Sequence, residues 1–405
     1  MMRSVSFVDR LELDFSGNHF SDALALGDVD ADGVNELVIG NVDGVLAVFK
    51  GPSTTPLKKC SGLGTIVCVG IGDVLNTGKN VVVCVNSDGE CSLFDITTPS
   101  TPVHYHTPST PGLSKAGVSS SPEQQRRGGH KSMRALHSQS LSTPNVKTLC
   151  VAPLSSEGDC DLLLGHTDRC VSVYRWSQGS KALCLLHTAS LSGQVGSLSV
   201  SSQSSQLLVS QPGGTYLPLA INLEGELESR DLIGQPQRRN PTSSTSLVAN
   251  IVETVEDSDD IVALCTLDGT VRMVRGGVKQ WELQVDHSLF SIQRLDITGS
   301  GCDEIVTCAW DGMTYVVDLN RNIVRYKFEQ NVTAFAAGCY GLEASNEPCL
   351  VYTTFSNRVY IYHNIQLPAV PSFNLVTARL DTEEGWDDET KQRTFRDILY
   401  RQKQE

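Results

Sequence analysis

The segment from Asp28 to Glu36 combines the residue types and the spacing of a cation-binding loop. Its sequence, DVDADGVNE, places carboxylates at the first, third, fifth and ninth positions, which are Asp28, Asp30, Asp32 and Glu36. Gly33 follows the third carboxylate and permits a tight turn. Because Ca²⁺ prefers several oxygen ligands, these four residues form a candidate site for a structural Ca²⁺ ion.

The loop differs from an EF-hand, and a metal-free interpretation stays open beside the calcium one. An EF-hand needs a bidentate glutamate at its twelfth position, where this chain has Ile39. Aspartates at a strand end also accept hydrogen bonds from backbone amides in Asx turns, without any metal. A related loop later in the chain has fewer carboxylates, and its polar residues are Asp296, Thr298, Ser300 and Glu304. The sequence requires no cofactor beyond this candidate ion.

The acidic loop is one part of a repeated sequence unit, so the repeat must position it. Each copy has an apolar strand, a polar loop, a second apolar strand, a tight turn and a third, alternating strand. The clearest copies run from Ala23 to Phe49, from Ile66 to Phe94 and from Ser291 to Asp318. A repeat of this size cannot bury its own faces, so the copies must pack side by side. The pattern predicts an all-β chain folded as a β-propeller.

The tight turns give the number of repeats. Asp-Gly pairs tolerate the positive φ angles that a two-residue hairpin turn requires. Such turns, some of them degenerate, recur about every 45 residues outside two longer intervals. They are Asp43-Gly44, Asp88-Gly89, Asp168-Arg169, Gly213-Gly214, Asp268-Gly269, Asp311-Gly312 and Ser356-Asn357. The turns therefore predict a seven-bladed propeller.

An N-terminal strand without a blade of its own predicts how the ring closes. The segment from Val5 to Phe15 stands immediately before the first repeat, where the fourth strand of a preceding unit would lie. We expect it to supply the outer strand of the last blade and so to join the two ends of the ring. Closure of this kind protects a propeller from exposed edges. The predicted propeller spans residues 4–366.

Three segments fall outside the repeat. Residues 97–145 are rich in Ser, Thr and Pro and poor in apolar residues, and they predict a disordered insertion between blades 2 and 3. Residues 224–246 predict a shorter polar insertion between blades 4 and 5. Residues 367–405 are interpreted as a charged C-terminal tail.

Charge and cysteine content restrict the class of protein. The net charge of −14 and the isoelectric point near 5.1 argue against binding of nucleic acid through bulk charge. No run of apolar residues is long enough to cross a bilayer, and the N-terminus lacks the apolar core of a secretion signal. The 13 cysteines are odd in number and include no C-x-x-C pair. A reducing, cytoplasmic location is therefore expected.

The repeats resemble a known family. With Gly-Asp before the loop and an apolar strand after it, they are similar to the FG-GAP repeats that build the integrin-α propeller. This resemblance covers roughly Ala23 to His363 outside the two insertions. The chain as a whole resembles the integrin-α FG-GAP repeat-containing protein 2 family. The stretches that carry this second resemblance are Gly27–Asp30, Cys68–Val74, Leu264–Thr270, Gln284–His287 and Cys308–Gly312.

The family resemblance implies a function as well as a fold. It implies a non-enzymatic subunit of KICSTOR, a lysosome-associated assembly, with a kaptin-like propeller, large scaffold subunits and a GATOR-type complex as partners. The implied role is to place this GATOR-type regulator of Rag GTPases on lysosomes and to restrain TOR signalling when nutrients are scarce. A protein of this kind would be cytoplasmic and would reach the lysosomal surface through its partners.

The alternative is a propeller enzyme, or a small-molecule-binding module, that uses the axial channel. Catalysis there would need His, Asp, Glu or Arg at the same loop position in several blades. The histidines do not recur in register, since they occupy different positions in their repeats, as His19, His166, His287 and His363 do. No catalytic residue is therefore predicted, and a scaffold is the favoured interpretation.

Overall fold

In the described part of the chain, seven sheets built on four antiparallel strands each make up the fold, as the repeat predicts, and two of them carry a short fifth strand paired in parallel. The structure, a computed structural model, describes residues 3–4, 6–97, 131–154, 158–222, 226–234, 240–253, 260–343 and 345–367. Within these ranges every regular element is a β-strand. The same ranges contain no helix with the length and apolar character that a membrane span requires.

Blades 1 and 2 are built from the N-terminal part of the chain, after two strands that join other blades. These two are β1 (Arg3–Ser4) and β2 (Ser6–Leu13). Blade 1 contains β3 (Leu24–Gly27), β4 (Glu36–Gly40), β5 (Val45–Phe49) and β6 (Lys58–Ser61). The next five strands are β7 (Ile66–Gly72), β8 (Val81–Asn86), β9 (Glu90–Phe94), β10 (Lys131–Ser132) and β11 (His137–Ser140). Of these, β10 pairs in parallel with β6, and the other four form blade 2.

Blades 3 to 7 follow in chain order. Blade 3 contains β12 (Val146–Pro153), β13 (Cys160–His166), β14 (Cys170–Ser177) and β15 (Ala182–Ser190). Blade 4 contains β16 (Leu198–Ser201), β17 (Gln206–Gln211), β18 (Thr215–Ile221) and β19 (Leu227–Ser229). Blade 5 contains β20 (Thr245–Val248), β21 (Ile261–Thr266), β22 (Thr270–Arg275) and β23 (Val278–Gln284). Blade 6 contains β24 (Leu289–Leu295), β25 (Glu304–Ala309), β26 (Met313–Val317) and β27 (Ile323–Lys327). Blade 7 contains β28 (Val332–Gly341), β29 (Asn346–Thr354) and β30 (Val359–Gln366), together with β2.

The first strands of the blades form a closed ring. Each first strand contacts the first strand of the next blade, and β28 of blade 7 contacts β3 of blade 1. The second strands are buried almost throughout, as in β4 and β25, because neighbouring blades cover both of their faces. The fourth strands are more exposed, as in β23 at the rim. Apolar burial is therefore concentrated between the blades.

The N-terminal strand β2 closes the ring, as predicted. It pairs antiparallel with β30, with Ser6 opposite Gln366 and Leu13 opposite Val359. Leu13 and the adjacent Phe15 are buried in an apolar cluster that contains residues of blade 7 and of blade 1. Closure therefore consists of backbone pairing within blade 7 and apolar packing across the junction with blade 1.

Glycine in the two-residue turns sets the hairpin between the second and third strands. Gly44 and Gly312 have φ angles of 75° and 86°, which glycine adopts without strain. A Cβ atom at Gly44 would lie 2.7 Å from the carbonyl oxygen of Gly64, so a larger residue there would also clash with backbone. The turn therefore fixes which residues of the two strands face each other.

The predicted bounds of the two insertions are wrong, because each range includes strands of the propeller. Within residues 97–145, β11 pairs with β9 as the fourth strand of blade 2, and β10 pairs with β6. Within residues 224–246, β19 is the fourth strand of blade 4 and β20 begins blade 5. Fourth strands contribute little to the apolar core, so their polar composition resembles that of a loop. Residues 98–130 and 368–405 lie outside the described residues.

We expect the closure of the ring to depend on Leu13. Leu13 is 4% exposed, and Leu13→Ala should lower the free energy of unfolding by about 2–5 kcal/mol because it leaves a cavity at the blade 7 junction. The adjacent Glu12 is 40% exposed and forms an ion pair with Arg358, so Glu12→Ala should cost only about 0–1 kcal/mol. Chemical denaturation of both variants measures the difference, and equal losses would contradict this account of closure.

Candidate functional site

The acidic loop connects β3 to β4, and two of its aspartates hold its backbone. The Asp28 carboxylate accepts hydrogen bonds from the amides of Ala31 at 2.8 Å and Gly33 at 2.9 Å. Asp32 Oδ1 accepts one from the Val34 amide at 2.9 Å. Such bonds satisfy backbone donors where the chain leaves the sheet. The loop therefore has the Asx-turn structure that the metal-free interpretation describes.

Glu36, the last carboxylate of the loop, is a buried acid at the start of β4. Its side chain is 0% exposed, and its Oε2 accepts a hydrogen bond from the Val29 amide at 2.9 Å. Burial raises the pKa of Glu36 because the charged form loses its hydration. A carboxylate in this position needs a cation or a proton to offset that cost.

The ammonium group of Lys50 lies among the carboxylates of this loop. Its Nζ is 2.6 Å from Asp30 Oδ2, 2.5 Å from Asp32 Oδ2 and 2.8 Å from Glu36 Oε1. Partial burial alone would lower the pKa of Lys50, but its hydrogen bonds to these carboxylates outweigh that effect and raise it. The hydrogen bond from Lys50 also lowers the pKa of Asp32. Lys50 is therefore charged and acts as the counter-ion of the loop.

The structure brings three of the four predicted ligands together, without Asp32, and it adds a residue that the sequence motif did not include. One oxygen from each of Asp28, Asp30 and Glu36 lies within 4.8 Å of the others, a spacing that would suit a metal ion. Lys50 was missed because it lies 14 positions after Glu36, beyond the third strand of the blade. The hairpin register could have found it, since Leu37 pairs with Phe49 and the next cross-strand pair is Glu36 with Lys50.

The residues present do not fit a resident Ca²⁺ ion while Lys50 stays in place. The ammonium already contacts three of the four predicted ligands, and the fourth, Asp28, is hydrogen-bonded to two amides. A divalent cation would have to displace Lys50 or approach it at short range, which Coulomb repulsion opposes. The geometry thus favours the metal-free interpretation, and calcium occupancy stays a prediction.

In blade 3 an arginine pairs with the buried acid. Leu162 pairs with Tyr174, so Asp161 and Arg175 occupy the cross-strand positions that Glu36 and Lys50 occupy in blade 1. Asp161 is 0% exposed, and its two oxygens accept hydrogen bonds from Arg175 Nε at 2.7 Å and Nη2 at 3.1 Å. A buried acid with a basic partner on the next strand is therefore a feature of more than one blade.

Blade 6 has the buried acid without the basic partner. Ile305 pairs with Val317, which places Glu304 opposite Asp318. Glu304 accepts hydrogen bonds from the Ile297 amide at 2.8 Å and from Thr298 Oγ1 at 3.1 Å. Burial raises the pKa of Glu304, and the charges of nearby Asp296 and Asp318 add to the increase. This loop is less able to hold a charged carboxylate than the loop of blade 1.

The axial channel contains a cavity of about 280 Å³ that is lined mainly by hydroxyl and apolar groups of the first strands. Its hydroxyl residues are Ser21, Thr148, Ser197, Ser199, Ser246 and Ser291, and among the described residues Asp22 is the one ionisable group in the lining. Burial raises the pKa of Asp22, and the Ser21 hydroxyl donates to it at 2.9 Å. The lining thus offers a hydroxyl–carboxyl contact, Ser21 with Asp22, and among the described residues it contains no histidine, lysine or arginine.

A serine and a histidine do meet elsewhere, but not where a substrate could reach them. Ser172 Oγ and His166 Nε2 are 3.0 Å apart, and both residues are 0% exposed. Burial lowers the pKa of His166, so the ring is neutral, and its Nδ1 donates to the Pro144 carbonyl at 3.1 Å. The pair is part of a polar network between strands and lies outside the channel lining.

Comparison with known proteins identifies the family. The profile of the family described as integrin-alpha FG-GAP repeat-containing protein 2 matches residues 50–367. Two curated proteins named KICSTOR complex protein ITFG2, from Bos taurus and Mus musculus, are each 37% identical over 410 residues. These matches cover 93% of this chain, 74% of the bovine protein and 88% of the mouse protein. The chain belongs to the integrin-alpha FG-GAP repeat-containing protein 2 family.

Solved structures of more distant proteins have a similar fold. Crystal structures of BBS1N in complex with ARL6DN, one soaked with mercury and one with lead, match with TM-scores of 0.62 and 0.61. They cover 91% of this chain and 99% of the solved chain, at 15% sequence identity. A likeness at this identity concerns the fold alone.

In this member of the integrin-alpha FG-GAP repeat-containing protein 2 family, removal of Lys50 should create a calcium response. We expect Lys50→Ala to lower the free energy of unfolding by about 2–3 kcal/mol in calcium-free buffer. This is below the cost for a fully buried pair because the Lys50 side chain is 25% exposed. Millimolar Ca²⁺ should recover part of the loss, since it would replace the ammonium, and should leave the native protein unchanged.

The double variant Glu36→Gln/Lys50→Met is the matched control for this experiment. It removes the buried charge together with its partner, so we expect a small change in stability and no response to Ca²⁺. Thermal unfolding with and without Ca²⁺ measures all three proteins. Stabilisation of the native protein by Ca²⁺ would show that the ion displaces Lys50, contrary to this assignment.

Glu304 should make blade 6 sensitive to pH in a direction that its raised pKa sets. The unfolded chain ionises this carboxyl near its ordinary pKa of about 4.5, whereas the folded protein retains the proton to higher pH. Stability should therefore fall as pH rises from that value to the raised pKa of the folded state, and then level off. Glu304→Gln should remove this part of the pH dependence, as denaturation at several pH values will show. Lack of a difference from the native protein would contradict the raised pKa.

Proposed function

We propose that the protein is a non-catalytic scaffold subunit of a KICSTOR assembly. The observation that carries this proposal is its family membership, with curated relatives named KICSTOR complex protein ITFG2 that align over 93% of the chain. Because the alignment covers 93% of this chain, it includes nearly the whole propeller. The propeller is therefore the part that this protein shares with those relatives. A subunit of this kind requires no cofactor.

A non-catalytic role is supported by the chemistry of the channel. Its lining has hydroxyl groups and one carboxyl, Asp22, and it lacks the convergent set of charged groups that catalysis would need. The buried pair of Ser172 and His166 is inaccessible to a substrate. Binding surfaces on the two faces and the rim of the ring are the remaining means of action.

Within this proposal the partners are the other proteins of the assembly. They comprise a kaptin-like propeller, large scaffold subunits and a GATOR-type complex that regulates Rag GTPases. The protein would help to hold that complex on the lysosomal surface and so restrain TOR signalling when nutrients are scarce. It would be cytoplasmic, and it would reach the membrane through these partners rather than by its own insertion.

The propeller suits such a role because it presents separate surfaces in fixed positions. The loops between first and second strands and the turns between second and third strands lie at opposite ends of the blades, since consecutive strands are antiparallel. Two partners can therefore bind to the two faces without competing for residues. The internal counter-ions of blades 1 and 3 would keep one of these faces rigid without added metal.

Affinity purification of the tagged full-length protein from fed and amino-acid-starved cells tests the proposal. We expect stoichiometric recovery of the other KICSTOR subunits in both conditions, identified by mass spectrometry, and dependence of TOR inhibition on the protein during starvation. Recovery of the protein alone in both conditions would contradict the scaffold function. In that case the axial channel would become the next candidate as a small-molecule site.

A further inference from the structure

Three neighbouring blades present large apolar side chains at one turn position. The position follows the second strand, and in blades 5, 6 and 7 it is occupied by Leu267, Trp310 and Phe355. These side chains are 39%, 39% and 61% exposed. The corresponding residues of the other blades are smaller or polar, namely Val42, Ser87, Thr167 and Pro212. The apolar residues therefore form a localised patch rather than a property of the repeat.

Aromatic contacts join this patch across blades 6 and 7. The Phe290 ring, at the start of β24, stacks on Trp310 with a centroid distance of 4.2 Å and an interplanar angle of 23°. The Trp310 and Phe355 rings are 6.5 Å apart. We call Leu267, Phe290, Trp310 and Phe355 the aromatic ridge. Because Trp310 contacts both Phe290 and Phe355, the ridge presents a continuous apolar surface across blades 6 and 7.

The backbone holds the ridge in place. The amides of Leu267, Trp310 and Phe355 each donate a hydrogen bond to a carbonyl of the loop that leads into the first strand of the same blade, at 2.9, 3.3 and 3.3 Å. Phe290 packs against the apolar core of this region, which contains Phe328 and Tyr352, whereas Trp310 and Phe355 lie outside that cluster. Exposed aromatics that the core does not need and that the backbone fixes have the character of binding anchors.

Carboxylates lie at the same end of the blades as the aromatic ridge. The turns and loops at this end of blades 5 to 7 carry Asp268, Asp286, Asp311 and Glu329. Lys327 donates to Asp311 at 2.7 Å and is already engaged. Asp286 and Glu329 are exposed, and in the described part of the chain neither forms an ion pair. An occupant of the ridge would therefore gain from positive charge on either side of its apolar residues.

We propose that the aromatic ridge is the docking site for an apolar segment flanked by Lys and Arg in another subunit of the assembly. This proposal rests on the proposed function and adds the surface and the chemistry of one partner. A second copy of this chain is a poorer occupant, because its net charge of −14 and its own acidic turns would be repelled. The acidic part of the chain's C-terminal tail, EEGWDD around Trp386, is disfavoured for the same reason, whereas the sequence KQRTFRDILYRQK that follows it combines apolar and basic residues and is the competing occupant. Deletion of residues 389–405 separates the two: tighter binding of a subunit to the shortened chain would identify the tail as the occupant and overturn the proposal.

The test measures the affinity of the purified full-length protein for each subunit recovered with it from cells. Trp310→Ala/Phe355→Ala should weaken one of these interactions by at least thirtyfold, because it removes two anchors. Asp286→Lys/Glu329→Lys should weaken the same interaction by at least fivefold, with a smaller effect at high salt. Val278→Ser is the matched control, because Val278 is 63% exposed on the outer strand of blade 5 and should leave affinity unchanged.

The outcomes separate this proposal from the proposed function. If all subunits bind the ridge variants as tightly as the native protein, the ridge proposal is wrong and the scaffold function stands. If the native protein binds no subunit, both are wrong. Loss of self-association in the ridge variants, measured by sedimentation, would identify a second copy as the occupant and overturn the proposal. Should the double variant unfold, Phe355→Ala alone provides the test, since most of that side chain is exposed.

Discussion

The pairing register between the second and third strands is the constraint on which the other features of this propeller depend. A two-residue turn with a left-handed glycine, such as Gly44, allows few alternatives for the residues that face each other. At one end of the hairpin this register places Lys50 opposite Glu36. At the other end it places the turn residue, Trp310 in blade 6, on the opposite face of the ring. A shift of this register by one residue would move a buried acid away from its counter-ion. It would also move the apolar side chains of the shifted strand to the opposite face of the sheet.

Blades 1, 3 and 6 share a buried acid at the beginning of the second strand and stabilise it in different ways. Blade 1 uses a lysine that contacts three carboxylates, and blade 3 uses a bidentate arginine. Blade 6 relies on a backbone amide and a threonine hydroxyl, but burial and the charges of Asp296 and Asp318 outweigh these bonds and raise the pKa of its carboxyl. In a compartment with little free Ca²⁺, an internal cation keeps a loop folded without dependence on calcium concentration. In blade 1 the internal cation contacts three of the four carboxylates of the acidic motif.

The sequence contained most of the fold and only part of the site. Alternating strands and Asp-Gly turns predicted seven blades, and the unpaired N-terminal strand predicted the closure of the ring, because both follow from local rules. The outer strands β11 and β19 were hidden because they contribute few apolar residues. The aspartates of the loop were visible as a motif, whereas Lys50 acts through cross-strand pairing and carries no motif. The aromatic ridge was equally hidden, since Trp310 and Phe355 are 45 positions apart and meet only in the ring.

The pairing of β2 with β30 also has a mechanical consequence. Ser6 lies opposite Gln366, so the beginning of β2 and the end of β30 meet at the same end of this strand pair. Tension applied between them would load the backbone hydrogen bonds one after another, as in a zipper, and not all at once, as in shear. Because β1 pairs with β27 of blade 6, such a pull would first separate that two-residue pairing and would then open blade 7 between β2 and β30. A partner that bound both of these strand ends would carry the load itself and prevent the ring from opening.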